Sequence, residues 1–159
     1  MVRNPRQSGS SIKPLLYALG LESLPLTMDS PIFDIPFQVG PDRPSNADGK
    51  FEGLLPLKYA LGHSRNIPAV KMYLAAGGED VVKPYLQKLG LAGVKDDVHY
   101  GYPLALGAAE VNMLELASAY AHLTTETPAL LNPILEVTSA DGSLLYQKEV
   151  VKREELIPS

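Results

Sequence analysis

The amino-acid sequence predicts an α/β fold that is predominantly helical over most of its length and ends in a β-hairpin. Short apolar segments bounded by proline and glycine recur up to residue 123 and indicate helices. Near the end of the chain, apolar and β-branched residues flank Asp141 and Gly142, a pattern that favours a hairpin. Because a two-stranded hairpin is marginally stable alone, we expect it to need a larger sheet or a helical layer.

The first predicted helix covers residues 13–20. Serines precede it as candidate N-caps, Pro14 stands in its first turn, and Gly20 follows as a stop signal. Nearly all of its residues are apolar. We therefore expect the helix to be buried.

A long extended loop is predicted next, over residues 23–53. Five prolines fall within 20 residues of it, at positions 25, 31, 36, 41 and 44. Proline lacks the amide hydrogen that a helix needs, so this stretch cannot form a regular helix. Loops of such length are commonly functional or disordered.

Four further helices are predicted after the loop. Three short ones cover residues 56–61, 68–76 and 79–89, and glycines follow the second and the third. The fourth covers residues 112–123, where Asn112 and Glu115 have the spacing of a capping box and the apolar residues form one face.

The chain is interpreted as one domain, since 159 residues suffice for a single core. Residues 6–131 form its helical part, which carries the candidate site residues, residues 132–150 form the hairpin, and residues 151–159 form a tail. No internal repeat or low-complexity tract interrupts this organisation.

Composition excludes several functional classes. The 14 basic and 18 acidic residues give a net charge of −4, which argues against a nucleic-acid partner. The absence of cysteine excludes disulfides, a thiolate nucleophile and a cysteine-ligated zinc. The three histidines, His63, His99 and His122, lack metal-ligand spacing, so neither a metal nor another cofactor is expected.

No apolar run reaches the roughly 20 residues of a membrane span, and the start lacks the apolar core of a signal peptide.

Ser10 and Lys13 are the first candidates for chemistry. Their spacing at the opening of a helix places a hydroxyl and an amine on one face. A serine hydroxyl becomes a nucleophile when a neighbouring base takes its proton, and a lysine can be that base if its pKa is depressed. The chemistry would be acyl transfer. The alternative is that Ser10 or Ser11 caps the helix and Lys13 is solvated, because an S-x-x-K spacing occurs readily by chance.

Ser64 and Asn66 are the second candidates. In this S-x-N arrangement a hydroxyl can relay a proton, and an amide can both donate to and accept from a substrate amide. The alternative is a helix C-cap and turn, since serine and asparagine followed by Pro68 are favoured there for local backbone reasons.

Four sequence blocks place both motifs in a wider context. They are RQSGSSIKP at residues 6–14, PSNADGKFEG at 44–53, ALGHSRNIPAV at 60–70 and LALGAAEVNMLELASAYA at 104–121. In this order they resemble the transpeptidase domain of class A penicillin-binding proteins, the bifunctional peptidoglycan synthases. The resemblance implies the penicillin-binding-protein transpeptidase and serine β-lactamase-like fold, extracytoplasmic action, and a peptidoglycan stem peptide or a β-lactam as the molecule bound.

The resemblance also implies roles for the candidate residues. Ser10 would be the acylated nucleophile and Lys13 its base. Ser64 would shuttle the proton, and Asn66 would bind the substrate amide. Arg65 stands at the variable position of the motif and receives no role.

One element of the family is not found. The family has a lysine followed by serine or threonine and then glycine on a sheet strand, whereas no lysine of this sequence is followed by serine or threonine. The glycosyltransferase domain and membrane anchor of the family are not found either. We therefore expect an incomplete transpeptidase domain that acylates little or not at all on its own, and that either belongs to a larger protein or is completed by another chain.

Two further functions remain open at this level. One is a non-catalytic pseudoenzyme or interaction module in cell-wall synthesis, for which replacing Ser10 would leave binding unchanged. The other is a serine β-lactamase, which would hydrolyse the β-lactam rapidly instead of keeping a persistent adduct, although no additional acidic residue is spaced to activate a deacylating water.

Overall fold

The structure is a computed structural model that describes residues 4–124 and 134–147. The predicted tail at 151–159, the outer ends of the predicted hairpin and residues 125–131 of the predicted helical part lie outside the described residues.

Five α-helices and two 3₁₀ helices make up most of the regular secondary structure of the described residues. The α-helices are α1 (Lys13–Ser23), α2 (Leu57–Gly62), α3 (Asn66–Ala75), α4 (Glu79–Lys88) and α5 (Met113–Ala121), and the 3₁₀ helices are Gly9–Ile12 and Tyr102–Leu106. In the described part of the chain, no helix is both long enough and apolar enough to cross a bilayer.

Six short strands within the described residues form three antiparallel pairs. The strands are β1 (Arg6–Gln7), β2 (Pro31–Asp34), β3 (Gly53–Pro56), β4 (Glu110–Val111), β5 (Glu136–Thr138) and β6 (Leu144–Gln147). β1 pairs with β4, β2 with β3, and β5 with β6. Residues 4–124 and 134–147 contain no sheet wider than two strands.

The core lies around α1, which contacts α3, α4 and both 3₁₀ helices. Leu15, Leu16 and Tyr17 of α1 belong to one cluster of buried side chains that also includes Met72 of α3 and Leu86 of α4. Each fully buried leucine contributes about 1.5–3 kcal/mol relative to an exposed one. The predicted burial of this helix is confirmed, and the core consequently holds the start of α1 in a fixed position.

The predicted end of the first helix at Gly20 is wrong, because α1 continues to Ser23. A Cβ at Gly20 would lie 2.2 Å from the Met72 sulfur, so the glycine permits α1 and α3 to approach closely instead of ending the helix. The predicted serine N-cap is wrong as well. The chain enters α1 directly from the 3₁₀ helix Gly9–Ile12, and no side chain caps either element.

The proline-rich segment is extended as predicted, but it contains a strand that the prediction lacked. β2 pairs with β3 in a register that joins Ile32 to Leu55 and Asp34 to Gly53. Pro31 and Pro56 stand opposite each other at the end of the pair, where a missing amide hydrogen disturbs the ladder least. The strand pair draws the two ends of the loop together.

The remaining predicted elements are confirmed with small shifts of their ends. Asn112 caps α5 by accepting a hydrogen bond from the Glu115 amide at 2.9 Å, and the capping box is complete. In the hairpin, Gly142 adopts a φ of +86° in the turn between β5 and β6. A bulge interrupts this pair between Val137 and Thr138.

Candidate active site

Lys13 lies in the first turn of α1 with only 1% of its surface exposed. Its ammonium nitrogen, Nζ, donates to the Ser64 carbonyl oxygen at 2.6 Å, to Ser64 Oγ at 3.1 Å and to Asn66 Oδ1 at 2.8 Å. The interpretation of Lys13 as a solvated surface residue is therefore wrong. The fold brings Lys13 of α1 together with Ser64, in the turn after α2, and Asn66, at the start of α3, although more than 50 residues separate them in the chain.

The surroundings of Lys13 favour its neutral form. Burial, and to a smaller extent the positive charge of Arg65, lowers the Lys13 pKa to about 8. A lysine with this pKa is partly deprotonated near neutral pH, and its nitrogen can then accept a proton.

Ser10 lies one turn before Lys13, on the 3₁₀ helix Gly9–Ile12, and is exposed to solvent. Within the described residues the three side-chain hydrogen bonds of Lys13 go to Ser64 and Asn66, and none joins Lys13 to Ser10. Ser10 is thus accessible to an incoming molecule, and the hydrogen bonds of the described residues do not link its hydroxyl to the other three side chains.

Two contacts fix the turn that carries Ser10. The Gly9 amide donates to the Gly107 carbonyl at 3.4 Å, and a Cβ at Gly107 would lie 2.2 Å from the Gly9 carbonyl oxygen. From α5, the Tyr120 hydroxyl donates to the Ser11 carbonyl at 2.7 Å. The block at residues 104–121 therefore supports the backbone on both sides of Ser10.

Ser64 has a left-handed backbone conformation, with a φ of +55° that is uncommon for a residue other than glycine. Its amide donates to the Leu61 carbonyl and the Arg65 amide donates to the Ala60 carbonyl, both at 2.9 Å. These two bonds form a Schellman motif that ends α2. The C-cap interpretation of this serine is thus correct for its backbone, while its hydroxyl contacts Lys13.

Asn66 is the first residue of α3 and is partly buried. Its Nδ2 donates to the Ser45 carbonyl at 2.9 Å, while its Oδ1 accepts from Lys13. A carboxamide offers two donors and two acceptor lone pairs, so both ends retain capacity for one more hydrogen bond.

The sequence interpretation missed Arg65 and the residues that bind it. Arg65 is buried, and its Nε donates to Asp34 Oδ2 at 2.8 Å while its Nη1 donates to Asp48 Oδ2 at 3.0 Å. Asp34 is fully buried. An aspartate inside the otherwise apolar segment 31–36 was the available signal, because buried carboxylates are generally paired with a cation.

The three histidines lie outside this group of residues. His63 pairs with Glu52 and His99 pairs with Glu79, each at 2.9 Å, and His122 contacts the Ser118 carbonyl. Over residues 4–124 and 134–147, no three histidine, aspartate or glutamate side chains are grouped so that they could hold a metal ion.

Comparison with known proteins gives a consistent family. A family model described as the penicillin binding protein transpeptidase domain matches residues 1–156. Penicillin-binding protein 1A of Haemophilus influenzae is 38% identical over 120 residues, which cover 72% of this chain and 14% of that protein. The chain thus spans less than a fifth of the length of this curated relative.

Solved structures match as well. The 2.6 Å crystal structure of penicillin-binding protein 1A from Haemophilus influenzae superposes with a TM-score of 0.77 at 33% identity, covering 91% of this chain and 22% of that chain. PonA1 from Mycobacterium tuberculosis, in complex with penicillin V, superposes with a TM-score of 0.74 over 92% of this chain and 42% of that one. The PonA1 identity of 21% supports the shared fold alone.

Proposed function

The chain belongs to the penicillin-binding protein transpeptidase family, and we propose that it carries the acylation half of the active site of a peptidoglycan D,D-transpeptidase. One observation carries this proposal. Lys13, one turn after an exposed serine, is buried and lies within 3.1 Å of both Ser64 and Asn66 side chains. A base of lowered pKa, a proton relay and an amide-binding group are then in contact, and the proposed nucleophile lies one turn before the base.

In the proposed reaction, the Ser10 hydroxyl oxygen attacks the carbonyl carbon of the penultimate D-alanine of a stem peptide. Lys13 Nζ takes the hydroxyl proton, and Ser64 Oγ relays a proton to the departing terminal D-alanine nitrogen. The peptide bond breaks and an acyl ester on Ser10 remains. The amine of a second stem peptide then attacks the ester, which forms the cross-link and returns the proton to Ser10.

A β-lactam would enter the same first step. Attack by Ser10 opens the ring by breaking its amide carbon–nitrogen bond, but the leaving nitrogen stays tethered to the acyl group. The ester therefore persists. The match of residues 1–156 to the penicillin binding protein transpeptidase family supports the class of ligand proposed here.

The proposal includes action outside the cytoplasm, because stem peptides are cross-linked there in this family. It also includes the expectation that the chain needs the family's lysine-containing strand to react efficiently. That strand contributes a donor to the oxyanion hole, and loss of one such donor slows other acyl-transfer enzymes by about 10²–10³-fold.

A hybrid protein tests the proposal. Residues 4–147 of this chain would replace the matching segment of the Haemophilus influenzae penicillin-binding protein 1A, which supplies the rest of the domain. Incubation with a fluorescent penicillin is expected to give one stable adduct, mapped to Ser10 by peptide mass spectrometry. Ser10→Ala is expected to abolish the adduct, and Ser11→Ala, one residue away and also exposed, to retain it.

The other outcomes are equally informative. A hybrid protein that unfolds cooperatively but forms no adduct would overturn the catalytic role and favour the interaction module. Rapid penicillin hydrolysis without a persistent adduct would favour a β-lactamase. The 159-residue chain alone is expected to give little or no adduct in the same assay.

The pH dependence of acylation provides a further prediction. Lys13 accepts a proton only when neutral, so its neutral fraction rises as the pH increases through its pKa of about 8. The second-order rate constant for penicillin acylation of the hybrid protein is therefore expected to rise with pH and to be half-maximal near pH 8. Stopped-flow measurements between pH 6 and about 9.5 would check this. A rate constant that falls over this range would contradict Lys13 as the base.

A further inference from the structure

Arg65, at the position between the two motif residues of the S-x-N element, joins three segments of the chain. We propose that Arg65 is a positioning residue of the site, which locks the proline-rich loop onto the start of α3 so that Ser64 and Asn66 face Lys13. The purpose assigned to Arg65 rests on the proposed function, whereas the contacts that Arg65 makes do not depend on any reaction.

The contacts of Arg65 are too specific for an incidental surface arginine. Only 7% of its side chain is exposed, and that of Asp34 is fully buried. Besides its bonds to Asp34 and Asp48, Arg65 lies 3.3 Å from Glu52 and donates to the Lys50 carbonyl. The planar guanidinium reaches all these acceptors at once, which a lysine ammonium cannot do in the same geometry.

Asp34, which binds Arg65, also binds Asn46. The Asn46 side chain is buried, and its Nδ2 donates to Asp34 Oδ1 at 2.7 Å and to the Lys50 carbonyl at 2.8 Å. With its amino group held in this way, the carbonyl end of the Asn46 side chain points toward α3. One buried carboxylate thus orients both Arg65 and Asn46.

Asn46 in turn caps α3 from the loop. The helix has no side-chain cap at its own N-cap position, which is Arg65. Instead, Asn46 Oδ1 accepts from the Asn66 amide at 2.7 Å and from the Ile67 amide at 3.3 Å. The free amides of the helix start, which include that of the proposed substrate-binding residue, are therefore satisfied by a residue 20 positions earlier.

Arg65 also contributes charge to the site. The residues on either side of it, Ser64 and Asn66, both bind Lys13. Its positive charge is the second cause of the lowered Lys13 pKa, after burial. Arg65 therefore acts through two routes, one geometric and one electrostatic, which different substitutions separate.

The test uses the complete 159-residue chain and two readouts by nuclear magnetic resonance. The first is amide hydrogen exchange at Asn66 and Ile67, with the Leu86 amide in α4 as an internal reference for global unfolding. The second is the pKa of Lys13, followed through the ¹³C shift of its ε-carbon. Neither readout requires acylation, so a chain that never reacts with penicillin still tests this inference.

Arg65→Lys keeps the charge and loses the planar fork. It is expected to speed amide hydrogen exchange at Asn66 and Ile67 by about fivefold, which is the effect of losing a helix cap. The exchange rate of the Leu86 amide is expected to stay unchanged relative to the neighbouring amides of α4. The Lys13 pKa is expected to stay near its wild-type value, because the positive charge remains.

Arg65→Met combined with Asp34→Asn removes the buried ion pair as a unit, since Arg65→Met alone would leave Asp34 unpaired and could prevent folding. This double variant is expected to raise the Lys13 pKa only slightly above about 8, because burial, the larger cause of the lowered pKa, remains, and to speed exchange at Asn66 and Ile67. The control is Arg43→Met, which removes an exposed arginine from the same loop and should change neither readout.

Two results would overturn the inference. One is unchanged exchange at Asn66 and Ile67 in Arg65→Lys. The other is exchange that accelerates equally at Leu86, which would reduce Arg65 to a contributor to overall stability. If the double variant does not fold, the single Arg65→Lys variant still decides the geometric claim.

Discussion

Replacing Lys13 by Met in the hybrid protein is expected to slow formation of the penicillin adduct by about 10²–10⁴-fold, the usual contribution of a general base. Methionine has a similar length and suits the buried position, so the substitution removes the base with little loss of packing. The remaining rate should also lose its rise near pH 8. Time-resolved gel fluorescence of the adduct measures both effects.

Lys58→Met is the matched control for this substitution. Lys58 is an exposed lysine of α2 that pairs at the surface with Asp29, and exposed pairs of this kind contribute at most about 1 kcal/mol. The Lys58→Met hybrid protein should form the penicillin adduct at the wild-type rate. A Lys13→Met protein that acylated at the rate of this control would show that another group activates Ser10.

Gly107→Ala is expected to damage both stability and reactivity. The added Cβ would lie 2.2 Å from the Gly9 carbonyl oxygen and 2.3 Å from the Gly9 nitrogen, and backbone atoms cannot give way as a flexible side chain can. Overpacking lowers the free energy of unfolding by about 1–3 kcal/mol. The left-handed φ of +81° lowers it by a further amount of about 1–2 kcal/mol for a residue with a Cβ. Because Gly9 precedes Ser10, relief of the clash would also displace Ser10, the proposed nucleophile.

Chemical denaturation of the complete chain measures the first effect, and adduct formation by the hybrid protein measures the second. Gly62→Ala is the control, because nothing lies within 4 Å of an added Cβ at that helical position. It should be neutral or stabilising by about 0.5–1 kcal/mol. Equal stabilities of the two variants would show that the contact between Gly107 and Gly9 does not restrain the turn.

Local signals were sufficient to predict most of the helices. The capping box at Asn112 and Glu115 and the glycine after α4 are encoded within one or two turns, so they can be read without knowing the fold. The proximity of Lys13 to Ser64 and Asn66 follows from no such signal, because those residues are about 50 positions apart. It was expected only through the family resemblance.

Other features depend on tertiary contacts that leave little trace in the sequence. Gly20 looks like a stop signal until Met72 is found against it. β2 is concealed because Pro31 suppresses the strand pattern, although it stands at the end of the strand pair, where its missing amide hydrogen disturbs the ladder least. Arg65 occupies the middle position of the S-x-N motif, so the role proposed for it can be inferred only from its bond to Asp34 and from the bond of Asp34 to Asn46.

The left-handed backbone conformation of Ser64 makes stability and activity conflicting requirements at this position. A glycine would adopt its φ of +55° without the roughly 1 kcal/mol or more that a Cβ costs there, and would keep the same main-chain bonds at the end of α2. That glycine would lack the hydroxyl bonded to Lys13. Selection for thermostability alone would therefore favour glycine at this position, whereas selection for the proposed reaction would retain serine and accept a less stable protein.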